Sequence, residues 1–485
     1  MGDIYNWLNK NNLHRINEAA LELLEKVGVK IEHEKIRDLL HQAGAKVNNA
    51  KQIVHIPRKV VEKTAAMTRG SDAVAMTQKR SAMEEKIHSG ELQQGIGGLA
   101  FFYYDWERKQ RRPATKEDSV NMIRLGDAMD GITHVNPPLI NSQGNPKIEP
   151  IESCVACIQN THPEKLGGKV EAVEPTCVKY LAEIGGVTTG KDYDARFISE
   201  CNFFNSPLLL SWRSGECILE KTKYGTKCLI GSEPLSGGTS PVTPASSIVI
   251  AAAEILTGWT VVKTLNPGIP VGAITCSGSI DMRTGRGCFS SPEAIIQDIG
   301  LYHLFDKIYK SKIYLVYPYY DAKIPGLQSV FHHLLKRLIF STAKVDIREF
   351  YNGILEAGST FSPVQMILDM EINECLHRIE KGFNTDEESL ALDVIQQVGV
   401  GTGRSYLGTD HTLKYFREVQ WFPKLLDRTG FENGAKEIEK ENQILENADI
   451  RWREALKKWN PPEIDKDKLK DIQSIVDKAR KELAP

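Results

Sequence analysis

The sequence lacks the motifs that mark the most common classes of enzyme. It contains no G-x-S-x-G nucleophile elbow, no H-E-x-x-H pair, no P-loop and no G-x-G-x-x-G fingerprint after a predicted strand. These absences argue against an elbow-type serine hydrolase, a zincin, a P-loop nucleotide hydrolase and a dinucleotide-binding dehydrogenase. Twelve histidines are scattered along the chain. The only adjacent pair, His332 and His333, would point about 100° apart on a helix and would not chelate one metal.

The chain also lacks a strong charge of either sign and a long apolar run. Its 61 basic and 63 acidic side chains give a formal net charge of -2, and no Lys/Arg block indicates a nucleic acid or an anionic membrane as partner. Apolar stretches such as 248–256 are far shorter than the roughly 20 residues of a membrane span. The first residues, MGDIYNWLNKNN, do not form a secretory signal. We therefore predict a cytoplasmic protein that binds neither nucleic acid nor membrane.

Nine cysteines are present, but their spacing does not predict a metal site. Cys154 and Cys157 form the only C-x-x-C pair, with His162 five residues further on, and no second pair completes a tetrahedral set. The surrounding run IESCVACIQ favours a helix in which both thiols are packing residues. We predict that the chain binds no metal, with a metal or redox role of this pair as the alternative.

The order of predicted elements divides the chain into three parts. Residues 1–114 favour a mixed α+β region, and residues 426–485 are charged and helical, as in a packed tail or a subunit contact. Between them, residues 115–425 alternate short β-prone runs with longer helical ones. This predicts an α/β fold, a TIM-type (β/α)8 barrel with an N-terminal α+β extension and a helical C-terminal tail. Seven strands are predicted near residues 133–136, 166–170, 201–204, 227–231, 269–275, 312–318 and 349–354. The eighth lies either in 397–407 or before Thr115.

Aromatic residues are dense where one barrel strand should end. Tyr317, Tyr319 and Tyr320 follow the apolar run IYLV, and the loops after the strands form the active site of TIM barrels. Aromatic faces bind quaternary ammonium groups through cation–π interactions, so these tyrosines are predicted to bind such a substrate. Strand alternation predicts that Tyr317 and Tyr319 point inward while Tyr320 packs outward. Filling of the core is the alternative role.

Several motifs follow one another in the order found in a known family. They are QRRPAT at 110–115 with RLGDA at 124–128, EPLSGGTSPVT at 233–243, DMRTG at 281–285 with SPE at 291–293, DAK at 321–323, LEAG at 355–358 and ALDVI at 391–395. This series resembles the trimethylamine methyltransferase family over nearly the whole chain. Founding members of that family carry pyrrolysine, whereas every position here is a standard amino acid. Ile324 is expected to mark the corresponding place.

Members without pyrrolysine are similar to the glycine betaine methyltransferases and their relatives for proline betaine and carnitine. The resemblance implies a methyltransferase that moves a methyl group from a quaternary amine, glycine betaine first, to the Co(I) of a corrinoid. This cobalamin-type cofactor would be carried by a cognate corrinoid protein, and a homo-oligomer is expected. One alternative is a noncatalytic quaternary-ammonium binding protein. Another is a zinc-assisted corrinoid methyltransferase acting on methanol or thiols, against which the lack of a ligand set argues.

A betaine substrate also needs a partner for its carboxylate. Arg213, Lys323 and His333 are the candidate cations, with surface solvation or ordinary ion pairing as the alternative role. Backbone N–H groups of residues 236–239, before a predicted helix, are a further candidate. Glu356 lies at the end of the EFYNGI strand and is the predicted catalytic residue. Its alternative role is that of a structural carboxylate that accepts hydrogen bonds from loop amides.

Overall fold

The computed structural model describes residues 5–68, 92–172, 174–347, 350–401 and 403–484. Short strand-like pieces are predicted from the sequence around residues 71–104, and the part of this segment before residue 92 lies outside these ranges. In the first part of the chain the described elements are α1 (Lys10–Lys26), β1 (Val29–Ile31), α2 (Glu34–Gln42), β2 (Lys46–Asn48), β3 (Ile53–His55), α3 (Arg58–Ala66), β4 (Gln94–Ile96), β5 (Phe102–Asp105) and β6 (Gln110–Pro113). β2, β3 and β1 pair antiparallel, and residues 209–210 extend this sheet in parallel with β1.

The middle of the chain alternates strands and helices. Its elements are α4 (Lys116–Ala128), β7 (His134–Val135), α5 (Glu149–Asn160), α6 (Cys177–Thr189), β8 (Cys201–Phe203), β9 (Leu209–Leu210), α7 (Trp212–Lys223), β10 (Cys228–Ser232), β11 (Leu235–Ser236), α8 (Pro244–Leu265), β12 (Val271–Thr275), β13 (Gly278–Asp281), β14 (Arg286–Cys288), α9 (Pro292–Leu304), β15 (Tyr314–Leu315), α10 (Leu327–Thr342), β16 (Phe350–Tyr351), β17 (Ile354–Leu355), β18 (Thr360–Phe361) and α11 (Pro363–Glu380). The C-terminal part contains α12 (Glu387–Leu390), α13 (Leu392–Val398), α14 (Asp410–Val419), α15 (Gly434–Lys457) and α16 (Lys466–Leu483).

Parallel strand pairing runs through the middle of the chain. β8, β10, β12 and β15 form one parallel sheet, and β7, β4 and β16 form another. Parallel bridges from Val135 to Leu166 and from Val170 to Ile198 link the two, so residues 166–170 stand between β7 and β8. We call this array, from β16 through β4, β7, 166–170, β8, β10 and β12 to β15, the parallel ladder. Each of the seven predicted strand regions contributes to it, and β4 adds a member from before Thr115.

The ladder has eight parallel members, which is the number that the predicted barrel requires. Within the described ranges no pairing joins β15 to β16, so closure into a TIM-type barrel stays a prediction. The region 397–407, residue 402 aside, contains the end of α13 and a 3-10 turn beginning at Tyr406 rather than a strand. The structure therefore shows a mixed α/β fold with several parallel sheets.

Helix α8 joins the N-terminal region to the ladder. α1 and α3 pack on one side of it, while β10 and β12 lie on the other, all within one buried cluster. The helix is long and apolar enough to cross a membrane by length and composition, a test that core helices also pass. Because 78% of its most apolar window is buried inside the protein, its apolar character is explained by contact on both sides.

Two small sheets continue from the carboxyl ends of the ladder strands. β11, β13 and β14 follow β10 and β12, whereas β17, β18, β5 and β6 follow β16 and β4. The carboxyl ends of parallel strands lie at one edge of the array, which we call the carboxyl edge. Both small sheets therefore border the edge where a site is expected.

The C-terminal helices pack onto the rest of the chain. Ala448 and Trp452 of α15 are buried in the cluster that includes α4 and α11. Ile472 and Val476 of α16 are buried against α6. The division at residues 114 and 425 stays a prediction, since β4 of the first part pairs within the ladder of the second.

Candidate functional site

Side-chain alternation in the ladder separates a helix-facing surface from an inner surface. In β10, Ile230 packs against Gly258 of α8, where an added Cβ would lie 2.5 Å from it, and Cys228 is buried in the same core. Successive strand residues point to opposite faces. Leu229, Gly231 and the following Glu233 therefore lie on the inner surface, away from the helices.

Four ionisable side chains near the carboxyl edge of this inner surface interact electrostatically. Glu171 follows residues 166–170, Glu233 follows β10, Cys276 follows β12 and Tyr319 comes after β15. Burial raises the pKa of the Tyr319 phenol well above its usual value. Negative charge on Glu233, Cys276 or Glu171 raises it further. Ladder members far apart in sequence thus bring these groups together, and we call them the carboxyl-edge cluster.

The two carboxyl groups of this cluster resist ionisation. Burial, with smaller contributions from the negative charges of Glu171 and Asp298, raises the pKa of Glu233 to about 7. Burial also raises the pKa of Glu171, against the opposing positive charge of Lys221. Yet the Glu171 side chain is exposed and Glu233 is half-buried. Solvent reaches both carboxyl groups although burial still penalises their charged forms, as is typical of a recess, and a bound cation would favour the charged forms.

The Tyr319 ring is held between an aromatic ring and a glycine. The Phe289 ring meets it edge to face, with centroids 5.8 Å apart and an interplanar angle of 89°. On another side, a Cβ added to Gly358 would lie 2.7 Å from the Tyr319 ring. Gly358 also has a φ of +90°, which favours glycine. These contacts restrict the orientation of the ring, and its phenol group is close enough to the cluster carboxyls for their charges to affect its pKa.

Tyr317 and Tyr320 lie on the helix-facing side of the ladder rather than with Tyr319. Their ring centroids are 6.2 Å apart, and they lie 5.3 Å and 5.4 Å from the ring of His333. Both tyrosines are buried. The predicted inward pairing of Tyr317 with Tyr319 differs from this arrangement, because Leu315 already faces the helices and alternation sends Tyr317 the same way. A turn at 317–318 then brings Tyr319 to the inner surface.

His333 is fully engaged inside the protein. Its side chain is buried, with Nδ1 2.7 Å from Oδ1 of Asp369 and Nε2 3.0 Å from Oδ1 of Asn373. The other carboxylate oxygen of Asp369 accepts a hydrogen bond from the N–H of Gly353 at 2.8 Å. His333 therefore ties α10 to α11 and to the chain after β16, and neither ring nitrogen is left for a substrate carboxylate.

Glu356 lies in a bordering sheet, between β17 and β18. Its carboxylate accepts hydrogen bonds from Arg111 at 2.5 Å and from Thr360 at 2.9 Å. Burial disfavours the charged form, but these two donors outweigh it and lower the pKa of Glu356. The group is therefore a fixed negative charge at neutral pH rather than a proton donor.

Lys323 lies near Glu356, and Arg213 lies at the start of α7. Lys323 is exposed, its Nζ donates to a loop carbonyl at 2.8 Å, and its positive charge contributes to the lowered pKa of Glu356. Ile324 follows it and is 54% exposed. Arg213 is exposed in the first turn of α7, where the neighbouring Trp212 stacks on a histidine of the N-terminal region.

The loop at 236–239 uses its backbone donors internally. The N–H groups of Gly238 and Thr239 both donate to the carbonyl of Leu235, and the N–H of Gly237 donates to the carbonyl of Ser240. These donors are not arranged around an anion, so the loop differs from the predicted anion site.

The sequence prediction did not include Glu171, Glu233 or Cys276 among the site residues. Glu171 and Cys276 directly follow the predicted strands 166–170 and 269–275, and Glu233 comes two residues after 227–231. Position at the end of a predicted barrel strand was the available signal.

The C-x-x-C pair lies apart from the cluster. Cys154 and Cys157 are buried in α5, which confirms the predicted helix. Burial raises the pKa of both thiols, to about 12 for Cys157, and thiols so hard to ionise are poor metal ligands. His162 instead pairs with Asp127 at 2.8 Å. Among the residues that the structure describes, no group of three or more His, Cys, Asp and Glu side chains is arranged to hold a metal.

Comparison with known proteins agrees with the motif series. The sequence profile of the family described as trimethylamine methyltransferase (MTTB) matches residues 2–484. The chain is 28% identical to trimethylamine methyltransferase MttB of Desulfitobacterium hafniense (strain DSM 10664 / DCB-2) over 454 residues, which cover 90% of this chain and 88% of that protein. It is 25% identical to the glycine betaine methyltransferase of Desulfitobacterium hafniense (strain Y51) over 488 residues, which cover 99% and 98%. The crystal structure of the hydroxylamine complex of MtmB aligns with a TM-score of 0.42 and 10% identity, covering 97% of this chain and 93% of that chain.

Proposed function

The chain belongs to the trimethylamine methyltransferase family, and from this premise we propose that it transfers a methyl group from a quaternary amine to the Co(I) of a corrinoid held by a partner protein. Glycine betaine is the first candidate substrate, because a relative matched along almost its full length is a glycine betaine methyltransferase. Proline betaine and carnitine are the alternatives. In this scheme the chain supplies the amine site and the partner supplies the methyl acceptor.

The carboxyl-edge cluster carries this proposal. A quaternary ammonium has a permanent positive charge and no N–H donor, so negative charge and aromatic rings recognise it better than hydrogen bonds do. Glu171 and Glu233 offer carboxyl groups in a partly desolvated recess, and Tyr319 offers the ring beside them. A neutral amine has no positive charge for the carboxyl groups or the tyrosine ring to attract, so it would gain little binding free energy from them.

The reaction requires no proton from the protein. Methyl transfer breaks the bond between the methyl carbon and nitrogen, and the bonding pair stays on nitrogen, so a neutral tertiary amine leaves. The negative charge of Co(I) and the positive charge of the ammonium disappear together, which a partly desolvated site favours. The cluster then has the task of aiming one methyl group outwards. Glu356, ionised at neutral pH, acts in this scheme as a fixed charge at the border.

A betaine carboxylate would meet positive charge at the border of the recess. We assign this contact to Lys323, which is exposed next to Glu356 and its partner Arg111. Arg213, exposed in the first turn of α7, is the other candidate. Tyr317, Tyr320 and His333 would support the loop that carries Tyr319 from behind.

The remaining parts of the proposal concern assembly. We propose a TIM-type barrel over residues 115–425 with an extension at 1–114 and a tail at 426–485, in a cytoplasmic homo-oligomer. The carboxyl edge would receive the cognate corrinoid protein. A subunit contact is supported by exposed apolar side chains between α11 and α15, namely Phe383, Val400, Leu407, Leu413 and Phe431.

The test offers glycine betaine, proline betaine, carnitine and trimethylamine separately to the protein with free Co(I) cobalamin or the cognate corrinoid protein. We expect loss of the Co(I) absorption with a quaternary amine and release of the matching tertiary amine. Methyl transfer from trimethylamine alone would contradict the proposal. Binding of a quaternary amine without transfer, with an active corrinoid partner present, would instead identify a noncatalytic binding protein.

A further inference from the structure

A lysine is buried directly behind the candidate site. Lys336 of α10 has an exposed fraction of 0%, although lysine is among the residues that are rarely buried. Its Nζ lies 3.3 Å from the carbonyl oxygen of Tyr319 and 3.3 Å from that of Phe289. The same ammonium therefore touches the backbone of the cluster tyrosine and of the residue whose ring packs against it.

Two further groups join the same pair of loops. The carboxylate of Asp321 accepts hydrogen bonds from the N–H of Phe289 at 2.7 Å and of Ser290 at 3.0 Å. The hydroxyl of Ser290 donates to the carbonyl of Tyr319 at 3.1 Å. The segment after β14 and the segment after β15 therefore each donate hydrogen bonds to, or accept them from, the other. Lys336 of α10 donates to both segments.

An opposite charge lies on the next helix. Asp298 of α9 is buried, and its Oδ1 accepts a hydrogen bond from the N–H of Ser277, directly after the cluster residue Cys276. Its negative charge interacts with Lys336 and also reaches Glu233. Such a buried pair adds little net stability, since desolvation offsets much of the attraction.

We propose that Lys336 is a positioning residue that holds the Tyr319 backbone, and through it the Tyr319 ring, against the recess. Lys336 donates to the two backbone carbonyls, and its positive charge also acts on Cys276 of the carboxyl-edge cluster. The kinetic part of its test rests on the proposed methyl transfer, whereas the spectroscopic part does not.

The chain supplies a matched control in Lys263 of α8. It is also buried, and its Nζ donates to the carbonyls of Pro267 at 3.0 Å and Ile269 at 2.8 Å. These carbonyls precede β12, so this lysine binds the backbone at the end of the ladder opposite to the carboxyl edge. Lys336→Met and Lys263→Met remove the same group from the same kind of site.

The first measurement is independent of activity. The full chain is labelled with 3-fluorotyrosine, and the Tyr319 resonance is assigned by its loss in Tyr319→Phe. We expect this resonance to shift or broaden in Lys336→Met and to stay unchanged in Lys263→Met. An unchanged Tyr319 resonance in a folded Lys336→Met protein would overturn the inference. If Lys336→Met fails to fold, Lys336→Gln, which keeps a donor without the charge, and Ser290→Ala replace it in the same comparison.

The second measurement is a double-mutant cycle in methyl transfer from glycine betaine, or from whichever quaternary amine supports turnover, to Co(I) cobalamin. Lys336→Met is expected to lower kcat/KM roughly 10-fold, mainly through kcat, because the methyl group is misaimed. In a Tyr319→Ala background the same change should have little further effect. Additive effects of the two changes would overturn the inference. Absence of turnover in the unmodified protein with every amine would contradict the proposed function and leave the fluorine result to decide on Lys336.

Discussion

Tyr317, Tyr319 and Tyr320 lie in one short segment, but their side chains face two different parts of the molecule. Tyr317 and Tyr320 face α10 and pack on His333, while Tyr319, between them in sequence, faces the inner surface with Glu233. The turn at 317–318, which follows β15, changes the direction in which the next side chains point. Residue type alone therefore does not separate a binding aromatic from a core aromatic, whereas the phase of the strand and its end do.

Removing a core tyrosine should give the largest effect. Tyr317→Ala deletes a fully buried ring and leaves a cavity, so we expect the free energy of unfolding to fall by about 3–5 kcal/mol, as for other large aromatic truncations. Tyr319→Ala, at a half-buried position, should cost clearly less. Urea denaturation of both variants measures the difference, and equal losses would remove the distinction between the two sides.

Removing a cluster carboxyl should weaken cation binding. Glu233→Gln, measured at pH 8 where the native group is mostly ionised, should weaken the binding free energy of tetramethylammonium by about 2 kcal/mol, which raises the Kd roughly 30-fold. Glu356→Gln is the control, since its charge is paired with Arg111 in the bordering sheet. Titration calorimetry gives both values. A larger loss from Glu356→Gln would move the cation site to the border.

The ring of Tyr319 should contribute a smaller share. Tyr319→Ala is expected to remove roughly 1–2 kcal/mol of cation–π interaction, or about 10-fold in affinity, and Tyr319→Phe should be milder because the ring face remains. Tyr317→Phe and Tyr320→Phe should leave the affinity unchanged. The same calorimetric titration compares the four variants, and wild-type affinity in folded Tyr319→Ala would exclude this ring from the site.

The pH dependence of affinity should be no larger than the effect of the Tyr319 ring. Burial raises the pKa of Glu233 to about 7, so the group is neutral below that pH and charged above it. A quaternary ammonium does not titrate, and it binds better to the charged form. Affinity should therefore rise about 10-fold between pH 6 and pH 8 and level off above, by linkage to one proton. Glu233→Gln should flatten this profile, and a profile that falls with rising pH would contradict the assignment.

The sequence predicted the ladder better than the site. Helical and β-prone runs are local signals, so regions such as 227–231 and 269–275 could be located within two residues. The cluster depends on which strands become neighbours and on the phase at each strand end. Glu171 and Glu233 look like ordinary acidic residues until the ladder brings them beside Tyr319. For His333, the sequence could not reveal that Asp369 and Asn373 from α11 occupy both ring nitrogens.

The position of β4 in the ladder sets an order for biosynthesis. Gln94 pairs with Phe350 of β16, so one edge of β4 stays unpaired until the ribosome has added roughly 250 further residues. At translation rates of about 5–20 residues per second, this interval lasts roughly 10–50 seconds. During that time a nascent chain with an open strand edge and uncovered apolar helices is exposed to the crowded cell. β4 can therefore complete its pairing only after β16 has been synthesised, and we expect the nascent chain to bind a chaperone before release.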